Sequence, residues 1–366
     1  MFDKGSISFR VFSLPEDMPS DAVERFAQAA AKPLEYVDAT PDWGWVTCRH
    51  LMDTEITDQT VRVNGLYHIC LRQAVRKVPT ALLNAETERE ILSRCKAMNV
   101  EYLNKKQRKE VKQEVKERLL PDMPPQLSGI YCVFDNSEHL AYTTSLSKSA
   151  TENFIGCFKE VIGFEPIPLT PEYLCQSKYN IDADSIPSVC ISPVLNYDDG
   201  EGNGTLGENF LTWLWFYLDS CNGNLPPEKL GTFGMMLDGP LTFVFEGAGA
   251  YESVIKKGTP TISAEAKAAL MVGKKLKSAK LTLAQDKMEW NCMLDAVEFV
   301  FRGMKLPDGE ASDRDSVFEE RVNFIFTFYT MFNTLFGRFL DEMSSPEKLA
   351  NYRDKVREWV QEREER

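Results

Sequence analysis

Between Pro79 and Pro121 the chain carries neither glycine nor proline, and Pro121, Pro124 and Pro125 then follow in quick succession. A breaker-free stretch rich in Ala, Leu, Glu, Lys and Arg predicts a long helical element over residues 84–120. The prolines end it, because proline lacks the amide proton that the helix ladder needs and clashes with the preceding turn. Flanking material is of another kind. Residues 7–12, 43–47, 66–71, 129–134 and 139–143 alternate or run apolar as strands do, and residues 21–31 and 148–162 have helical spacing. The expected fold class is α+β, with mixed sheets from which the helical element projects.

Pro166, Pro168 and Pro171 mark a boundary, and the composition changes after it. Residues 181–228 hold eight acidic side chains and no Lys or Arg. An aromatic helix (210–218), strands over 235–245, 279–283 and 290–304, a Phe-rich helix and a charged amphipathic tail from residue 345 follow. Three regions are expected: residues 1–78 with 122–180 as a central α+β domain, 79–121 as a helical finger or tip, and 181–366 as a base α+β domain ending in helices.

With 366 residues, 43% of them hydrophobic, the chain can bury a full core. Its 42 basic and 55 acidic side chains give a net charge of −13, which disfavours a protein that grips nucleic acid by net charge. Nine cysteines without a C-x-x-C spacing argue against a disulfide framework and a zinc finger, and fit reduced thiols in the cytoplasm. The first ten residues carry charges where a signal peptide has an apolar core, so a cytoplasmic location is expected. Residues 322–337 are uncharged and contain five Phe, yet sixteen residues fall short of the roughly 20 that span a bilayer. They are expected to form a core or dimer-interface helix, with no membrane contact.

Motifs of chemistry are sparse. Gly202, Gly204 and Gly207 match G-x-G-x-x-G, but polar residues separate them from the strand pattern at 189–195, and the acidic surroundings would repel a dinucleotide. A flexible turn entering a helix is the expected reading. The same loop places Asp199, Glu201 and Asn203 at calcium-loop positions, while Phe210 stands where a bidentate Glu belongs. His50, His68 and His139 are the only histidines, and no H-E-x-x-H, G-x-S-x-G or phosphate-loop motif occurs. Asp308, Glu310, Asp313 and Asp315 could hold a metal for nuclease chemistry, although a solvated loop is the simpler reading. No catalytic residue, cofactor or metal site is assigned.

Charge segregation is the strongest signal. Residues 94–118 hold nine basic and four acidic side chains, and residues 256–280 hold seven and one. At 100° per residue Lys105, Lys109, Lys112 and Lys116 fall within an arc of about 60°, beside the Val111, Val115 and Leu119 stripe. Such a ridge suits a phosphate backbone, which it neutralises without reading sequence. The alternative is a solvated helix balanced by Glu110, Glu114 and Glu117.

These residues resemble the RdgC family of recombination-associated bacterial proteins. Residues 102–121 (YLNKKQRKEVKQEVKERLLP) run without a gap along that family's Lys-rich helix ending in Leu-Leu-Pro. Weaker matches keep the same order at Gly44-Trp45-Val46, Ile69-Cys70-Leu71-Arg72, Pro166-Ile167-Pro168-Leu169, Leu211-Thr212-Trp213-Leu214, 273–281, 299–306 and 318–343. The resemblance implies a non-enzymatic, nucleoid-associated protein whose homodimer closes into a ring. Double-stranded DNA would pass through a basic lumen, held without sequence preference, and compete with the recombinase filament in recombination and replication. Carried over by position, Arg72, Arg76, Lys77, Lys105, Lys106, Lys109 and Lys112 would contact DNA from the first half, and Lys274, Lys275 and Lys277 from the second. Pro121, Met123 and Pro124 stand at the family's dimer-closing tip, without its aromatic ring. Thr47-Cys48-Arg49-His50 replaces a Pro-rich turn and leaves Arg49 and His50 unassigned. Two other readings are a metal-dependent DNA exonuclease and an interaction scaffold that does not bind DNA.

Overall fold

The computed structural model describes residues 1–194, 204–245 and 251–362. Its elements begin with β1 (Ile7–Ser13), α1 (Ala22–Gln28), β2 (Asp42–Thr47), α2 (Asp58–Val61), β3 (Arg62–Val63) and β4 (Leu66–Val75). Then come α3 (Thr80–Met98), α4 (Lys105–Leu119), β5 (Gln126–Asp135), β6 (Leu140–Thr143), α5 (Lys148–Ile162), β7 (Ile167–Pro168) and α6 (Pro171–Tyr179). The remainder is α7 (Leu206–Ser220), β8 (Gly234–Val244), β9 (Glu252–Ile255), α8 (Ala264–Met271), β10 (Lys275–Gln285), β11 (Met288–Asp295), β12 (Val300–Lys305), α9 (Arg314–Ser344) and α10 (Pro346–Glu362). The fold is α+β, as the periodicities predict, and its strand ladders are antiparallel.

Two compact units divide the chain. One comprises residues 16–136 and 149–165, and the other residues 1–15, 137–148 and 166–366. The division runs elsewhere than the expected boundaries, since residues 1–15, 137–148 and 166–180 go with the C-terminal part. The reason lies in strand pairing: β1 pairs with β12, Ile7 opposite Met304 and Phe9 opposite Phe301, a long-range register that no local pattern announces.

In the unit of residues 16–136 and 149–165 the sheet runs β2-β4-β5, with β3 against the start of β4. Helices α1 and α5 cover one face, where Phe26 lies 4.6 Å from Trp45 and Phe134 lies 5.2 Å from Phe158, ring centre to ring centre. Each such ring, fully buried, contributes about 1.5–3 kcal/mol of apolar transfer free energy. The opposite face is closed by the chain itself: Ala31 and Leu51 pack with Val46, Cys48, Cys70 and Tyr131. That approach is tight because Gly44 has no side chain, and a Cβ there would come within 2.3 Å of Ala31 Cα.

The other unit has the strand order β6-β1-β12-β11-β10-β8-β9, with β7 also on β1. Helix α9 is the Phe-rich segment, and it forms the core of this unit: Phe332 packs 5.0 Å from Phe301 and Phe336 packs 5.1 Å from Phe210. The Trp290 indole donates to the Phe324 carbonyl at 2.9 Å, locking the helix over β11. Thr327 and Thr334 direct their hydroxyls back to the carbonyls of Asn323 and Thr330, which explains the polar residues that punctuate the segment. Among the described residues no helix is long and apolar enough to cross a membrane.

Candidate nucleic-acid interface

The helical element is not one helix but an antiparallel pair. Asn99 takes the left-handed conformation (φ 52°) that ends α3, and Asn104 caps α4 reciprocally with Gln107, each side chain bonding the other's backbone amide at 3.0 Å. The two helices bury a small core of their own, Ile91 and Cys95 from α3 against Leu103, Val111 and Val115, with Leu83 and Leu119 at its margin. Asparagine did here what glycine and proline usually do, so the break left no conspicuous mark.

Charge on this hairpin is sorted by residue type. Every arginine is ion-paired: Arg89 with Glu86, Arg94 with Glu90 and Glu114, Arg108 with Glu88 at 2.8 Å, and Arg118 with Glu86 and Glu90 at 3.2 and 3.8 Å. The planar guanidinium matches carboxylate geometry, and the pairs of Arg94 with Glu114, Arg108 with Glu88 and Arg118 with Glu86 and Glu90 stitch α3 to α4. The lysines behave otherwise. Lys105, Lys106, Lys109, Lys112 and Lys116 are exposed and make no ion pair among the described residues. Lys112 reaches only an amide, Asn84 Oδ1, at 3.3 Å. On α4 Lys105, Lys109, Lys112 and Lys116 occupy an arc apart from that of Glu110, Glu114 and Glu117, whereas Lys106 falls beside the glutamates.

The remaining expected contacts separate into free and committed groups. Lys77 is exposed. Arg76 is half-buried and staples three segments, its Nε donating to Val37 O at 2.8 Å and its Nη1 to the carbonyls of Pro121 and Met123. Arg72 is 2% exposed. It sits in one row across three strands between Gly44 and Gly129, and its Nη2 donates to Lys32 O at 2.6 Å. Burial lowers its pKa and the Asp42 carboxylate opposes that shift, so Arg72 is an interior anchor that no phosphate can reach.

The cations expected from the second half are committed as well. Lys274 is 9% exposed and donates to Ser253 Oγ at 2.5 Å. Lys275 is 3% exposed and bonds Ser188 Oγ at 2.8 Å and Asn209 Oδ1; burial brings its pKa down to about 7, against the opposing influence of Cys190 and Glu208. Lys277 pairs with Glu252 at 3.4 Å. The Gly-Lys-Lys run looks like a surface patch in sequence, but β10 starts at Lys275 and turns these stems inward. Of the ten expected DNA contacts, the structure brings Lys105, Lys106, Lys109 and Lys112 together on one solvent-facing helix. Lys116 extends that ridge by one turn.

Pro121, Met123 and Pro124 lie at the root of the hairpin, where α4 hands over to β5 and Arg76 holds the chain, and not at the end formed by residues 99–104. Arg49 and His50 belong to a tight turn: Arg49 lies 3.8 Å from Asp53, and His50 Nδ1 accepts from the Met52 amide at 3.3 Å. Gly207 of the G-x-G-x-x-G match serves packing, since a Cβ there would meet the Ala296 carbonyl at 1.8 Å. Asp199, Glu201 and Asn203 fall within residues 195–203, outside the described residues. Asp313 caps α9 by accepting from the Ser316 amide at 3.0 Å, and Glu320 folds the neighbouring loop by accepting from the amides of Glu310 and Ala311. Among the described residues no three His, Cys, Asp or Glu side chains are grouped to hold a metal ion.

No curated protein matches the chain. A family model described as "Putative exonuclease, RdgC" matches residues 8–178, a span that includes the hairpin with its lysine ridge, Arg72 and Arg76. Over residues 8–178, just under half of its length, the chain is similar to the RdgC family.

Proposed function

We propose that the protein binds double-stranded DNA through its phosphates, without sequence preference and without chemistry, and acts in recombination and replication by competing with the recombinase filament for DNA. The observation that carries this reading is the sorting of charge on the hairpin, where arginines are paired with carboxylates and lysines are left to solvent. Unpaired lysines cost side-chain entropy when ordered and gain nothing from the fold, so their concentration on one helix face points to an external anion. Net charge does not oppose this, because the phosphates meet the local field. In the same reading the active species is a homodimer that closes into a ring around DNA, and the protein is cytoplasmic and nucleoid-associated.

The test is a titration of fluorescent duplex DNA, linear and covalently closed, at two salt concentrations with and without magnesium. Tight, salt-sensitive binding without product bands supports the reading, and a preference for linear DNA supports threading through a ring. Magnesium-dependent shortening of the linear DNA would replace it with the nuclease reading. Absence of binding at low salt would replace it with the scaffold.

A further inference from the structure

The lysine ridge borders a groove of about 500 Å³ along the seam of α3 and α4, within the size range of small-molecule sites. Its floor is apolar: Ile91 is buried, and the Thr87 hydroxyl is committed to the Leu83 carbonyl at 2.6 Å. Its rim carries three cations, Lys109, Lys112 and Arg108, and one carboxylate, Glu88, which holds Arg108 in place. Asn84 stands on the opposite edge, its Oδ1 accepting from Lys112 while its amide N–H groups make no bond among the described residues.

A ridge that only neutralised phosphates would need no apolar-floored groove beside it. An apolar floor, a fixed guanidinium plane and an amide at the edge match a flat heteroaromatic group joined to a phosphate, because bases stack on guanidinium planes and pair their edges with amides. In a duplex the bases are stacked and paired, and only an unpaired strand can turn one outward. We propose that this groove receives a nucleobase of single-stranded DNA, with the strand's phosphates lying along Lys105, Lys109 and Lys112. The inference rests on the reading of the hairpin as the DNA-binding surface, and adds to it a base-dependent mode that duplex binding does not use.

The test compares three fluorescent probes of equal length: oligo-dT, an abasic oligomer with the same number of phosphates, and a duplex. The wild type is expected to bind oligo-dT at least fivefold more tightly than the abasic strand. Asn84→Leu narrows the groove and removes its amide from an exposed helix position without changing charge or adding a stacking ring, and should reduce that preference at least twofold while leaving duplex affinity within twofold. Arg108→Lys keeps the charge and removes the plane, and should reduce the preference at least twofold. Equal wild-type affinity for the two single strands overturns the inference, as does a preference that is undiminished in both Asn84→Leu and Arg108→Lys. Duplex binding without base preference would sink the groove and leave the duplex reading standing. Base-dependent binding of single strands without duplex binding would do the reverse.

Discussion

Glu88 holds the Arg108 guanidinium at 2.8 Å across the seam of the hairpin, whereas Lys109, the next residue, has no carboxylate in ion-pair reach among the described residues. The pairing fixes one cation as part of the scaffold and leaves its neighbour as a point charge on a mobile stem. That difference decides which substitutions should change binding and which should change folding.

Reversing two ridge charges, Lys105→Glu with Lys109→Glu, is expected to weaken duplex binding at least tenfold at moderate salt and to flatten the salt dependence by about 2 in slope. Both side chains are exposed and unpaired, so the thermal midpoint and oligomeric state should not move. Anisotropy titrations and circular dichroism on the same preparation check both halves. Unchanged affinity would remove α4 from the interface.

Arg72→Ala should behave in the opposite way. It removes a buried group bonded to the Lys32 carbonyl and leaves that carbonyl without its donor. The expected cost is about 2–4 kcal/mol of stability, read from denaturant unfolding, with DNA affinity of the folded protein unchanged. A variant of wild-type stability with weakened DNA binding would restore Arg72 to the interface.

Lys275 supplies a pH test. Its folded pKa is brought down by burial to about 7, against roughly 10.4 in an unfolded chain. Between these values the unfolded state holds a proton that the folded state has released, so stability rises with pH across that window and the contribution is lost as pH falls to the folded pKa. The slope is at most about 1.4 kcal/mol per pH unit. Comparing the wild type with Lys275→Met between pH 7 and 8.5 cancels the other groups. The difference should grow in favour of the wild type as pH rises, and a constant difference would show that Lys275 stays charged.

Gly207→Ala should destabilise the unit formed around α9. A Cβ there would lie 1.8 Å from the Ala296 carbonyl oxygen, and the contact is with backbone, which cannot swing aside. A loss of about 1–3 kcal/mol is expected in chemical denaturation. A neutral substitution would mean that α7 can move away from Ala296 at no cost.

Local chemistry made part of this architecture legible. The strand patterns at 66–71 and 129–134 fall within β4 and β5, and the Phe-rich stretch became α9. Long-range pairing was not legible, because nothing in residues 7–13 specifies that β12 will be their partner. The hairpin break was legible only in retrospect, through Asn99 and through Asn104 with Gln107 three residues later. At the candidate interface, spacing on α4 predicts the exposure of Lys105, Lys109, Lys112 and Lys116, because exposed positions of an amphipathic helix follow from its period. For Lys274, Lys275 and Arg72 residue type misled: a basic side chain beside a strand can be buried when hydroxyl, amide or carbonyl partners await it. Those partners lie far along the chain.

We propose that the unpaired lysines of α4 hold DNA. The most direct measurement is the affinity of the purified protein for a fluorescent linear duplex at low and moderate salt. Affinity that falls by orders of magnitude between the two, with the DNA recovered intact, is the result the account predicts. Binding that is absent at low salt, or that is indifferent to salt, would contradict it.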